Sequence, residues 1–282
     1  MNNYNPAAKK KFKLLDVILF ILTWGFAIIT FAALLFIIFH VLINGIPYLT
    51  PSLFERRFTT DNVSMFPAII STVMMVVLTL IVAVPLGIFT SIYLVEYVRS
   101  GNKFVTLIRS ATEMLAGIPS VVYGLFGLLL FVEFFGFGWS LIAGSLTLTI
   151  MILPTVIRTT EEALKAVPGS FREGGFALGA GKLRVVFRIV LPSAVPGILA
   201  GVILATGRII GETAALIFTA GTIPQIPESL TNSARTLAVH MWALSAEAHH
   251  TNEAYATAVI LLLIVLLINA VSVIIARLLT AR

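Results

Sequence analysis

Cysteine is absent from the 282 residues, which excludes disulfides and any thiolate-held metal. Charge is nearly as scarce: charged residues make up 11% of the chain, and only 13 residues are acidic. Soluble domains carry about 25% charged and about 45–50% apolar residues. Here 59% of the chain is apolar and the mean hydropathy is +1.03, an excess that no soluble core absorbs, so lipid is the implied solvent. No Ser/His/Asp set, acid–base dyad or covalent nucleophile stands out, so no catalytic site is expected and the chain is not read as an enzyme. Glu247, His249, His250 and Glu253, with His240 nearby, share one polar segment; they are read as solvated, and no metal site is expected.

A net charge of +6 would suit a nucleic-acid binder. The Lys and Arg residues, however, sit in short segments between apolar runs, which is how membrane topology is encoded; no nucleic-acid partner is expected. Lys9, Lys10, Lys11 and Lys13 precede an apolar run from Leu14 to Ile43. That run is far longer than the roughly 7–15 residues of a signal-peptide core, so it reads as a retained first span.

A spanning helix needs roughly 20 mostly apolar residues. Six windows qualify: 17–42, 66–94, 111–133, 139–157, 195–219 and 256–276. Pro85 and Pro119 fall inside the second and third windows and predict kinks of a kind that membrane bundles tolerate. The tail, the second and fourth loops and the C-terminal tail hold fifteen of the Lys and Arg residues. The first, third and fifth loops hold Arg56, Arg57 and Arg235 only, and Arg208 lies inside the fifth window. That imbalance puts both termini in the cytoplasm. The expected architecture is all-α and polytopic, with six transmembrane helices. It divides into a tail (1–15), a first helix with its outer loop (16–65), and a transmembrane domain (66–279) with a cytoplasmic loop at 158–191.

That loop has internal punctuation. Pro168 and Gly169 break the preceding helix, and Ser170 with Glu173 has the spacing of a capping box. A short helix is expected from Phe171 to Leu178, ending at Gly179 in a left-handed cap. Phe171 and Leu178 are seven apart and share a face, an apolar stripe suited to another protein's groove. Gly181-Lys182 imitates the end of a phosphate-binding loop, but Leu183 stands where Ser or Thr must hold magnesium, and Phe176 replaces the first glycine. The chain is therefore not expected to bind nucleotide.

Charge within a span marks a functional candidate. Arg208 and Glu212 lie four apart in the fifth window, a spacing that puts them on one helix face within pairing reach. Two readings stand. The residues form an ion pair that fixes packing, or they form a stepping point for an anion. In the second, Arg208 binds oxyanion oxygens with its planar fork. Glu212 then accepts a hydrogen bond from a protonated oxyanion and repels a fully ionised one.

The stretch Glu173-Gly174-Gly175-x-x-x-Gly179, followed by Ile189-x-Leu191-Pro192, resembles the EAA loop of ABC importer permeases, with Gly174-Gly175 replacing two alanines. Three further stretches, Leu115–Gly124, Leu153–Ala163 and Gly211–Gly221, resemble the permease subunits of the phosphate-specific ABC importer; the last is similar to the PstA type, while the first leans toward the homologous PstC type. The resemblance implies the type I importer permease fold and makes the loop a coupling helix. On it, Ser170, Phe171, Arg172, Glu173, Gly174, Gly175, Leu178 and Gly179 would dock an ATPase. It also implies that Arg208 and Glu212, with Thr213 beside them, lie on the substrate path. The implied partners are a homologous PstC-like permease forming a heterodimer, two ATPase subunits carrying ATP and magnesium, an extracytoplasmic phosphate-binding protein and membrane lipid. The implied location is the bacterial cytoplasmic membrane. A permease for molybdate or sulfate, or a non-conducting scaffold that docks an ATPase, remains open.

Overall fold

The computed structural model describes residues 6–98, 103–247 and 249–280, and among them there is no strand. Helix α1 (Pro6–Gly45) is followed by α2 (Phe66–Ile92), which ends in a π-helical turn, Tyr93–Tyr97. Next come α3 (Lys103–Ala116) and α4 (Ser120–Gly127), the latter continued by a π-helical turn, Leu128–Phe134. Helix α5 (Leu141–Ala166) leads to the short α6 (Gly169–Ala177). Helix α7 (Lys182–Val185) runs through a third π-helical turn, Val186–Val190, into α8 (Leu191–Ile210). Three helices complete the chain: α9 (Ala214–Thr219), α10 (Leu237–Ala246) and α11 (Thr251–Thr280). Five helices are long and apolar enough to cross a membrane, and α3 with α4 forms a sixth span if the bent pair is counted as one.

Two of the expected spans are not straight helices. The window at 111–133 bends by 104° between α3 and α4. Gly117-Ile118-Pro119 causes the break, because proline cannot continue the hydrogen-bond ladder. The Tyr123 hydroxyl donates to the Leu115 carbonyl at 2.7 Å and ties the two arms together. The window at 195–219 breaks at Gly211, where α8 ends before α9 begins.

Helix α5 is the centre of the bundle. Leu148, Met151, Ile152 and Val156 are buried against α2, α8 and α9. Close approach depends on small residues. A Cβ on Gly87 would press on Val156, and one on Gly127 would overlap the side chains of Thr147 and Thr219. By contrast, most of α1 from Leu15 to Phe39 is apolar and exposed, and the helix is attached mainly through α11. Gly45 lies on the backbone of Tyr255.

Helix α10 closes the end of the bundle opposite α6 with an apolar face including Leu237 and Leu244. The same helix buries His240 completely. Its Nε2 has no hydrogen-bond partner and its ring meets Phe58 edge-on. Burial and the nearby Arg235 pull the His240 pKa down to about 4.

A Gly127→Val variant should lower the melting temperature in detergent, since overpacking a tight contact costs about 1–3 kcal/mol. Gly25→Ala, with nothing near its Cβ position, should not lower it. The depressed His240 pKa means that the unfolded chain takes up a proton first as pH falls below 6.5. Stability present above pH 6.5 is therefore lost progressively toward pH 4, by on the order of 3 kcal/mol. Melting curves measured across that range should fall in the native chain, and the His240-dependent part of the fall should vanish in His240→Gln.

Candidate functional site

Helices α3, α5 and α8 enclose a cavity of about 530 Å³. Its wall is unusually charged for so apolar a chain. Arg109 and Glu113 come from α3, Arg158, Glu161 and Lys165 from α5, and Arg208 from α8. Periodicity explains the α5 set: Arg158, Glu161, Glu162 and Lys165 recur at spacings of three and four, which stacks them on one side of the helix.

Most of these charges are internally satisfied. Buried Glu161 sits between Arg109, at 2.5 Å, and Lys165, at 2.6 Å. Arg158 pairs with Glu162 at 3.2 Å on an exposed face. Arg208 differs, because among the described residues it has neither a hydrogen bond nor an ion pair.

Its depth follows from packing. Gly201 of α8 lies against Thr159 of α5, and Gly197 against Ala163. Arg208 is seven residues beyond Gly201, and Thr159 is seven residues before the end of α5. At 1.5 Å per residue, Arg208 stands roughly 20 Å from the end of α5 and level with Ile152, which is about 8 Å inside the expected span boundary at residue 157.

The expected Arg208–Glu212 pair does not form. Helix α8 stops at Ile210, and the chain turns at Gly211, so the two residues do not share a continuous helix. Buried Glu212 instead accepts the Ala215 N–H at 3.1 Å and caps α9, satisfying one of that helix's orphan donors. Thr213 is half-buried at the same break, its hydroxyl 3.5 Å from the Gly211 carbonyl. A Cβ on Gly124 would meet the Ala215 backbone, so α4 crosses close to this break.

Helix α6 forms where expected, but its start is different. No side chain caps it, and Pro168 occupies the N-cap position, so the Ser170–Glu173 capping box is absent. The shift has a simple cause: the helix begins at Gly169, ahead of Ser170. Its end matches expectation. Gly179 has φ +76°. The Gly179 N–H donates to Phe176 O at 2.9 Å and the Ala180 N–H to Gly175 O at 3.1 Å, which is the Schellman pattern.

Ser170, Phe171, Glu173, Gly174, Leu178 and Gly179 are exposed, and Leu178 is 90% exposed. Within the expected docking set, Arg172 and Gly175 differ from the others in being turned into their own chain. Gly175 is buried on Val185 and Ile189. Arg172 pairs with Glu96 at 2.7 Å and donates to the Val167 and Leu164 carbonyls at 2.9 Å each.

Sequence reading missed Arg109, Glu161 and Lys165 as cavity residues. The i, i+3 and i+7 recurrence from Arg158 was a usable signal. The approach of Arg109 was not, because it depends on how α3 folds back beside α5.

Residues 83–282 match the family described as the binding-protein-dependent transport system inner membrane component. The chain is 36% identical over 244 residues to the phosphate transport system permease protein PstA of Yersinia pestis, covering 84% of this chain and 81% of that protein. It is 35% identical over 228 residues to the probable ABC transporter permease protein YqgI of Bacillus subtilis (strain 168), covering 74% and 76%. With PstA of Mycobacterium leprae (strain TN) the identity is 42% over 156 residues, covering 55% of this chain and about half (51%) of that relative. Two solved structures share the backbone arrangement. A chain of the inward-facing MetNI methionine ABC transporter aligns with a TM-score of 0.60 at 18% identity, covering 77% of this chain and 94% of that one. A chain of a bacterial ABC transporter involved in import of the acidic polysaccharide alginate aligns at 0.58 and 15%, covering 88% and 95%. The fold is that of type I importer permeases, as the EAA-like loop implied.

Proposed function

Because the chain belongs to the binding-protein-dependent transport system inner membrane component family, a family of multi-pass permease subunits and not of enzymes, we propose that it is the PstA-type half of an ATP-driven phosphate importer. The observation that carries the substrate is Arg208, an unpaired guanidinium deep in the bundle at the wall of a charged cavity. A fixed cation there offsets the cost of bringing an oxyanion out of water, and its fork suits a tetrahedral anion. A scaffold that conducts nothing would gain little from such a charge. The names of the relatives in Yersinia pestis and Mycobacterium leprae support phosphate over molybdate or sulfate.

The cavity supplies the onward route. An anion leaving Arg208 meets Arg109, Arg158 and Lys165 along the same wall. Glu161 shares its carboxylate between Arg109 and Lys165. It weakens their attraction for an anion, so that release competes with binding. Glu212 acts on the path through structure, since its carboxylate holds the break that ends α8 beside Arg208. Thr213 offers a hydroxyl at that break.

The exposed face of α6, with Phe171 and Leu178, docks a separate ATPase. ATP and magnesium belong to that partner. A PstC-like permease completes a heterodimer, two ATPases bind from the cytoplasm, and a phosphate-binding protein delivers substrate from the other side. The Lys and Arg imbalance supports cytoplasmic termini and a place in the bacterial cytoplasmic membrane, with the α6 end inward.

Two measurements test this reading. In the reconstituted complex with its binding protein, ATP hydrolysis should be stimulated by phosphate and not by sulfate or molybdate; stimulation by molybdate alone would reassign the substrate. Arg208→Ala should reduce phosphate uptake by about 10- to 100-fold, the effect of losing one charge-assisted hydrogen bond. Uptake at the native rate would remove Arg208 from the path.

A further inference from the structure

The geometry points to the Glu96–Arg172 ion pair as the link that carries movement between α6 and α2, an inference that rests on the importer reading above. Arg172 is a positioning residue here, not a docking one. Its Nε and terminal nitrogen reach the same Glu96 oxygen at 3.0 and 2.7 Å. Its other donors hold the Leu164 and Val167 carbonyls at the end of α5. One guanidinium thus joins three elements: α6, the end of α5 and the π-helical turn that closes α2.

Burial separates this pair from ordinary surface ion pairs. Side-chain exposure is 20% for Arg172 and 8% for Glu96, against 67% and 65% for Arg158 and Glu162. Exposed pairs contribute little, whereas removing one partner of a desolvated pair leaves an uncompensated charge. The end carbonyls of α5 have no partners within their own helix, and the Arg172 donors satisfy two carbonyls there.

The rest of α6 is anchored differently. Gly175 seats the helix on Val185 and Ile189, an apolar contact with the segment that leads into α8. The direct contact of α6 with the turn that closes α2 is polar, Glu96 to Arg172; Lys182 of α7 lies 5.0 Å from the centre of the Tyr97 ring, and Val185, on which α6 sits, shares an apolar cluster with Ile92 of α2. Both Glu96 and Tyr97 belong to the π-helical turn Tyr93–Tyr97. A wider turn re-aims the side chains it carries, and such turns recur at functional positions.

Cutting the Arg172 link therefore leaves α6 on its base, with its exposed face intact, but removes its direct link to the turn that closes α2, leaving only the indirect apolar path through Val185. Docking and hydrolysis should survive while transport per cycle falls. In proteoliposomes holding the complete complex and its binding protein, Arg172→Ala should retain the ATPase through purification. Hydrolysis should stay near the native rate, and uptake per ATP hydrolysed should fall by about tenfold, within the range measured when a coupling network is cut. Glu96→Ala should behave the same, and the double variant no worse than either single one.

Native coupling in Arg172→Ala would overturn the proposal. So would loss of the ATPase from an otherwise intact permease pair, which would make Arg172 a docking residue. If Arg172→Ala is not produced, the absence of native cysteine provides a second route. Glu96→Cys/Arg172→Cys in this chain can be bridged with a short bis-maleimide. Bridging should restore uptake per ATP relative to the unbridged protein, and no restoration would overturn the link. The ratio is read with whichever anion the native complex imports, so a wrong substrate assignment and a failed link give different results.

Discussion

Hydrocarbon offers backbone and hydroxyl groups no hydrogen-bond partner, and the rest of this structure depends on that constraint. Helices satisfy the backbone internally. Several hydroxyl side chains solve the same problem by donating to carbonyls one turn earlier. Thr72, Thr147, Thr149, Thr206 and Thr219 all do so at 2.7–2.8 Å. Ser91 reaches the Gly87 carbonyl and, in a second contact, the Ile157 carbonyl of α5. Such residues lie in helix interiors without exposing polar atoms, and they leave faces small enough for α2, α5 and α8 to pack closely.

The same constraint sorts the charges. Glu96 and Arg172 neutralise one another, and Glu161 offsets part of the charge of Arg109 and Lys165. Glu212 is held by a backbone N–H at a helix start, where negative charge is favoured. Against that background an unpaired Arg208 is conspicuous. It is half-buried at the wall of a cavity that also carries Glu113. Helix breaks at Gly117–Pro119 and Gly211 occur beside this region, because non-helical backbone within a bundle is tolerated where it lines a cavity.

Much of the fold was legible in the sequence because long apolar runs report directly on lipid contact. The six windows and the Gly179 cap depend on local composition or local backbone conformation. The capping box failed for an equally local reason: Pro168 let the helix begin a residue before Ser170, which left that side chain inside the first turn. The Arg208–Glu212 pair failed because helical spacing was extended across Gly211, where the helix does not continue.

The sequence by itself determined that this chain is helical, that it belongs in lipid, and which end carries the positive charge. Each of these follows from residue type and order. The tertiary structure alone decided what the charged residues touch. Arg172 and Phe171 are neighbours on one short helix, yet Phe171 is exposed while Arg172 reaches Glu96, 76 residues away in sequence. Arg109 meets Glu161 because α3 turns back against α5. Contacts of that kind depend on where helices cross, and crossing is set by the small residues and breaks of several segments together. No single stretch of sequence encodes it.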